Sequence, residues 1–381
     1  MKITKVEAFP VEFPLEEPSL DATGIWYTWN TVIVKITAED GTFGYGEIGP
    51  IHGGGIPIFK AMVDHKLKPM IIGESVFDRA RLYEKMVGKG TSSYALGQKG
   101  AIITAIAGID IALYDLVGKI LKTPVYNLLG GRTFDKIPAY ASGFFGKGGR
   151  ALTPEECGDE AKSYADQGFK GVKMKVGFGE KQDLLNVEAV RKALGPDLGI
   201  MVDANQSFSY HSVSKIAREL AAFNLTFIEE PLPINDLDGM AALTTSIEVP
   251  VAAGENYYTR YEFREVLQRR AVNIIQPDVI HAGGITETMR VAAMAESMNV
   301  PLAPHIHASV GVSAAIHVLT ATTNTLAAEY ITSGGSFALR KEMCGDSFMA
   351  KDGWIRATEE PGLGIHIDEK VFEKYYPKSM K

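Results

Sequence analysis

From about residue 135 onward, short apolar runs alternate with helical patterns at a spacing of roughly 25 residues, and no other feature constrains the fold as much. Strand-like runs fall at 137–141, 169–176, 199–204, 226–229, 249–254, 272–276, 300–304 and 326–331. Helical patterns such as 181–194, 209–222 and 285–298 lie between them. Strands joined through helices run parallel, and about eight such units close into a barrel. In that architecture the chemistry sits where the strands end.

Three of these runs end in an acid. Asp203 closes Gly-Ile-Met-Val-Asp, Glu229 follows Thr-Phe-Ile, and Glu255 follows Val-Pro-Val-Ala-Ala-Gly. The intervals are equal: 229 − 203 = 26 and 255 − 229 = 26. One acid at a strand end is ordinary, but three at one period deliver carboxylates to the same rim. They would repel each other unless a cation lies between them, and hard oxygen donors suit Mg²⁺.

The neighbouring strand ends add bases. In Gly171-Val-Lys-Met-Lys-Val-Gly177, strand alternation points Lys173 and Lys175 one way and Val172, Met174 and Val176 the other. Lysine pairs also occur on solvated strand faces; in a barrel with helices outside, these two would face inward. Gln276-Pro-Asp278 and Pro304-His305 end the next two runs, which would set Asp278 beside His305. A carboxylate there fixes the imidazole tautomer and favours its charged form. His307 shares the parity of His305 and competes with it; His305 is preferred because it comes first after the apolar run. His281 would lie in the loop beyond Asp278. A cation can stabilise the enediolate formed when a carboxylate's α-proton leaves, and a lysine can take that proton if its pKa is lowered by a like charge nearby.

The first part, about 1–130, reads as a separate α+β unit. Residues 2–14 and 31–38 alternate as strands, Asp40-Gly41 signals a turn, and 43–48 would return as a hairpin. Helical patterns follow at 57–71, 76–88 and 98–120, and Gly130-Gly131 breaks them. Two stretches read as mobile loops: 18–30, with Trp26, Tyr27 and Trp29, and 49–56, with His52. Such aromatics either pack down on their own unit or form a lid that excludes water from a neighbouring site.

Composition excludes several classes. A net charge of −7 argues against a nucleic-acid partner. The two cysteines, Cys157 and Cys344, stand far apart, which suits a reducing cytoplasm without a structural disulfide. The most apolar stretch, 101–121, carries Asp110 and Asp115 on a helical pattern and reads as a buried helix, so no membrane span is expected. The alternating N-terminal residues predict no secretory leader.

Six elements, Lys173-Met-Lys175, Val202-Asp-Ala-Asn-Gln206, Glu229-Glu-Pro231, Gly254-Glu-Asn256, Gln276-Pro-Asp278 and Pro304-His305, occur in order. With them the chain resembles the enolase superfamily, mandelate racemase group. The resemblance implies an α/β fold: a modified TIM-like (β/α)7β barrel at 131–353, an N-terminal α+β capping domain at 1–130, and a segment at 354–381 packed back on that domain. It implies Asp203, Glu229 and Glu255 as Mg²⁺ ligands and Lys175 as one acid/base catalyst. Lys173 would orient the substrate carboxylate and depress the pKa of Lys175. His305, paired to Asp278, would be the catalyst on the opposite face, and Asn205 would lie near the metal or the substrate carboxylate. Glu230 and Asn256 would support the ligands from behind. Glu329 resembles the late acid that hydrogen-bonds the enediolate oxygen; a plain strand-end glutamate is the alternative. Trp26, Tyr27, Trp29 and His52 would reach the substrate's distal end from the capping domain. The partner would be a small-molecule carboxylate and the assembly a homo-oligomer, dimer to octamer. Dehydration of an acid sugar to a 2-keto-3-deoxy acid leads, with racemisation or epimerisation of a 2-hydroxy acid second. A non-catalytic sugar-acid or metal-binding barrel is the alternative from another class; it would not need Lys175 and His305 together.

Overall fold

The computed structural model describes residues 1–49, 55–88, 97–345 and 347–380. Three antiparallel strands open the chain: β1 (Ile3–Asp21), β2 (Gly24–Ala38) and β3 (Phe43–Ile48). Residues 18–30 are therefore not a loop. They are the far end of a long two-stranded ribbon that turns at Ala22-Thr23. A register break between Pro14 and Ser19 interrupts the ladder, and such irregularities bend and twist a ribbon. Aromatic and β-branched residues in Ile25-Trp-Tyr-Thr-Trp29 favour this extended form over a coil.

The sheet packs on the helix Ala101–Ile120, which is buried almost throughout. The close approach requires glycines: a Cβ on Gly46 would lie 1.9 Å from the Gly108 carbonyl oxygen. The helix is long and apolar enough to cross a bilayer, but it is buried inside the fold as the core of this unit. The pattern at 57–71 is interrupted, because Met62–Leu67 winds as a π-helix between the helices Ile56–Ala61 and Lys68–Ile71.

The repeat region forms a parallel sheet in sequence order: β4 (Ile137–Ser142), β5 (Gly171–Lys175), β6 (Gly199–Asp203), β7 (Phe227–Glu229), β8 (Val251–Ala253) and β9 (Ile274–Ile275). β10 (Ala328–Ile331) pairs with β4 from the other side. The run at 300–304 makes no continuous ladder. It contributes isolated bridges, Leu302 to Ile275 and Leu302 to Thr325, and these close the ring between β9 and the last strand. Seven strand–helix steps and an eighth strand result. Val172, Met174 and Val176 join the apolar layer shared with the outer helices, while Tyr140, Met201, Phe227, Ala252, Ile274 and Ala303 pack together inside the ring as a floor.

The C-terminal residues return to both parts. Trp354–Ile355 add antiparallel to the start of β4, Phe372 stacks on Phe9 at 4.5 Å, and the Glu12 amide donates to the Tyr375 carbonyl. Three buried acids of the N-terminal unit grip the barrel side. Glu47 on β3 accepts from the amides of Ser309, Val310 and Gly311, which open the helix Val310–Ala321. Asp110 accepts from the amide and hydroxyl of Thr286 in the first turn of Gly284–Ser297. Asp115 accepts from the amides of Tyr45 and Leu363. Carboxylates at helix N-termini satisfy the unpaired amides and complement the helix dipole.

Candidate active site

The strand register sets the centre of the site. Lys175 pairs in register with Asp203, and Asp203 with Glu229, so three charged ends stand side by side on β5, β6 and β7. Glu255 follows two residues after β8. Its place depends on Gly254, where a Cβ would lie 2.4 Å from the Gln276 backbone. Around the ring the order is Lys175, Asp203, Glu229, Glu255, Asp278, His305, Glu329. The three acids thus form an arc with a base on each flank. The turns after these strands are strained: Asn205, Gln206 and Glu230 all adopt positive φ, a conformation that non-glycine residues hold where the surroundings enforce it.

Each acid engages cationic or polar groups of the chain. Lys173 Nζ lies 2.9 and 2.8 Å from the two oxygens of Glu229 and 2.8 Å from Glu329 Oε1. Gln276 Nε2 donates to Glu229 Oε2 at 2.7 Å. Lys175 Nζ donates to Asp203 Oδ2 at 2.6 Å and to Asn205 Oδ1 at 3.1 Å. His305 Nδ1 sits 2.7 Å from Asp278 Oδ2, while its Nε2 is 2.9 Å from Glu255 Oε2 and 2.6 Å from His307 Nδ1. Among the described residues, no three carboxylate or imidazole groups are drawn together as a ready-made cation cage.

The electrostatics follow from burial and these contacts. Burial first, then repulsion from Asp203, Glu329 and Glu255, push the Glu229 carboxyl up to about 8 against the pull of Lys173. Burial works against the Lys175 ammonium, but Asp203, Asp21 and Glu255 together outweigh it and hold the group above the ordinary lysine range. The lowered pKa expected from Lys173 is not found, because the Asp203 contact is the stronger influence. His305 is buried too; Glu255 and Asp278 nevertheless hold it well above the ordinary imidazole range. Burial, then the His305 charge, push His307 well below that range. Asp278 thus pairs with His305 at Nδ1, while His307 lines the cleft on the Nε2 side, stacked on Trp29 at 4.9 Å.

A cleft of about 240 Å³ opens above these groups, near the small end of the usual range for ligand sites, ~300–1,000 Å³. Lys175, Asn205, Glu255 and His305 line it, whereas Lys173, Asp203 and Glu229 lie beneath and are fully buried. Trp26 and Trp29 form part of its wall. Tyr27 does not: it is 66% exposed and absent from the lining, since neighbouring strand residues face opposite ways. His52 falls outside the described residues. His281 lies in the turn after Asp278, as expected, and lines the cleft beside Tyr258. Glu230 and Asn256 hydrogen-bond each other at 2.9 Å beside Glu255. Sequence reasoning assigned no role to Asp21, Phe145, Gln276 or Ser333–Ser336, the start of the helix Gly334–Cys344. Gln276 stood within a quoted motif, but nothing local to the others marks them, because distant segments bring them to the cleft.

Comparison with known proteins agrees with this architecture. Residues 3–130 match the mandelate racemase / muconate lactonizing enzyme N-terminal domain, and residues 156–371 match the enolase C-terminal domain-like model. The chain belongs to the mandelate racemase / muconate lactonizing enzyme family of the enolase superfamily. An arabinonate dehydratase from Saccharolobus solfataricus is 35% identical, over 91% of each chain. A D-galactarolactone cycloisomerase from Agrobacterium fabrum is 30% identical, over 98% of this chain and 99% of its own. Among solved structures, a racemase from Streptomyces coelicolor A3(2) with bound magnesium superposes with a TM-score of 0.89 at 29% identity, over 98% of this chain and all of its own (100%). The relatives are therefore lyases and isomerases of one superfamily, and at least one neighbour holds magnesium.

Proposed function

We propose that this protein is a Mg²⁺-dependent enzyme that removes the proton α to a carboxylate and dehydrates an acid sugar to its 2-keto-3-deoxy acid. The observation that carries this reading is the arc of Asp203, Glu229 and Glu255 with Lys175 on one flank and the Asp278–His305 pair on the other. A non-catalytic binding barrel would have no use for bases on both flanks.

The donor set fits a small hard cation. Burial and the neighbouring carboxylates raise the Glu229 carboxyl, a repulsion that a divalent ion relieves, and Asp203, Glu229 and Glu255 would hold that ion. When bound, Mg²⁺ would supply Lewis-acid stabilisation of the negative charge that builds on the substrate carboxylate. Lys173, fixed by Glu229 and Glu329, faces that carboxylate from the floor. Lys175 takes the α-proton. Asp203 has to release its hold on Lys175 for this step, and Lys173 then favours the neutral amine as a like charge nearby. Asp278 at Nδ1 favours the imidazolium form of His305, which can hand its Nε2 proton to the β-hydroxyl as it departs as water. The enol left behind becomes the 2-keto-3-deoxy acid. Glu329 accepts from the Ile306 amide; burial raises its carboxyl, but Lys173 and His305 hold it below the usual range, so it would have to take up a proton before hydrogen-bonding the enediolate oxygen. A second reading, racemisation or epimerisation of a 2-hydroxy acid, is favoured by the same bases on two flanks, since His305 could instead reprotonate the α-carbon. We further expect a cytoplasmic homo-oligomer.

An acid-sugar library in D₂O with Mg²⁺ tests the reading: at least one member should exchange its α-proton and yield a 2-keto-3-deoxy acid. Lys175→Ala and His305→Asn should each lower turnover by about 10³-fold or more. Wild-type rates in either variant would remove that residue from its role, and no exchange with any acid would end the enzymatic reading. Chelation with EDTA should abolish exchange and Mg²⁺ should restore it; undiminished activity in EDTA argues against the metal site.

A further inference from the structure

Charge is unevenly distributed along the cleft. Lys175 and His305 line it from opposite flanks of the acid arc, and Lys173 lies buried beneath it. The far end is built by the tip of the β1–β2 ribbon, with Ser19, Asp21, Thr23 and Trp26, facing the turn at Ser333. Lys175 is the one lysine or arginine among the described lining residues of the cleft, and Asp21 lies within reach of its charge. The ribbon tip is seated against the barrel, since the Gly146 amide donates to the Leu20 carbonyl at 2.8 Å.

Asp21 is the only carboxylate there among the described lining residues. Its Oδ1 accepts from the Thr23 amide at 2.8 Å and the Thr23 hydroxyl at 2.6 Å, and its Oδ2 accepts from Trp26 Nε1 at 3.2 Å. These hydrogen-bond donors are neutral and fix the carboxylate without cancelling its charge; the cation within its electrostatic reach is Lys175. An ionised carboxylate offers about four lone-pair directions, so Asp21 can still accept a substrate hydroxyl. It would repel a second carboxylate, because like charges in a narrow, partly dry cleft are costly. The faces of Trp26 and Trp29 suit the C–H faces of a hydroxylated chain.

We propose that Asp21 makes this site selective for mono-acids: 2-hydroxy acids with a neutral, hydroxylated far end, rather than diacids with a carboxylate at each end. The inference rests on the acid-sugar reading above and narrows its substrate class. The matched pairs galactonate/galactarate and gluconate/glucarate differ only at the terminal carbon. Two readouts apply to each pair: α-proton exchange in D₂O, and binding to the Mg²⁺-loaded protein by thermal shift, which needs no turnover. The mono-acid should lead its diacid on the order of tenfold, the size of one like-charge contact. Asp21→Asn keeps the acceptor for the Thr23 amide and should close that gap by improving the diacid. Raised salt should narrow the gap in the wild type and leave the variant unchanged. A diacid bound as well as its mono-acid by the wild type, or an unchanged ratio in Asp21→Asn, overturns the proposal. An equal loss for both acids would give Asp21 a role in holding the ribbon only, and also overturns it. Absence of exchange while the binding ratio persists would sink the catalytic reading and leave the selectivity standing.

Discussion

Asp278 illustrates how much of the proposed chemistry depends on a residue that need not touch substrate. It is buried, accepts from the Ile280 amide through one oxygen, and meets His305 Nδ1 through the other. That bond fixes the tautomer and turns Nε2 toward the cleft. Asp278→Asn keeps the shape and removes the charge. Turnover should fall by about 10²–10⁴-fold with KM nearly unchanged, as for an amide that sets the wrong tautomer behind a catalytic histidine. Steady-state kinetics on any accepted acid checks this, and a rise in KM at constant kcat would make Asp278 a binding group instead. Lys173 and Lys175 were legible from alternation alone. Their division of labour was not, because it depends on which carboxylate each lysine meets, Glu229 or Asp203.

At the level of elements, the repeat of strands and helices announced the barrel, while two stretches were misread for physical reasons. Residues 18–30 carry Gly24 and aromatics, which suggest a loop, yet their backbone groups are satisfied by pairing β1 with β2. Residues 300–304 look like a strand but need only Leu302 to bridge both neighbours. Glu47 escaped notice as one more polar residue at a strand end. Buried on β3, it accepts the first amides of the helix Val310–Ala321 just after His305 and His307. Glu47→Ala leaves those amides without a partner and should cost about 2–4 kcal/mol in chemical denaturation, in the range for a lost cap combined with unsatisfied buried donors. A loss below about 0.5 kcal/mol, the level of an ordinary surface change, would show that water replaces the carboxylate at no cost.

Across the whole molecule, the N-terminal unit and the barrel are joined by buried acids, so their union depends on pH. Burial pushes the Asp110 carboxyl up to about 6, against hydrogen bonds from Thr286. An unfolded aspartate titrates near ~3.9, so between those values the folded protein binds more protons than the unfolded chain. Stability from this group therefore falls as pH rises through that window, and the cost is fully present above it. Asp110→Asn cannot ionise and lacks this slope. Relative to wild type it should gain about 2–3 kcal/mol between roughly pH 4 and pH 7, measured by urea denaturation at each pH. Parallel profiles for the two proteins would mean that Asp110 titrates alike in both states.

The sequence by itself determined the local order: which runs become strands, which become helices, and which strand ends carry acids and bases. Those properties follow from periodicity and from the residue at each run's end, both local. Only the tertiary structure decided which charges meet. Ring closure brings His305 round toward Lys175, although 305 and 175 are far apart in the chain, and strand register sets Asp203 between Lys175 and Glu229. It also decided that the ribbon tip, with Asp21 and Trp26, forms the far wall of the cleft. Contacts between distant segments arise from packing, and no periodicity within either segment records them.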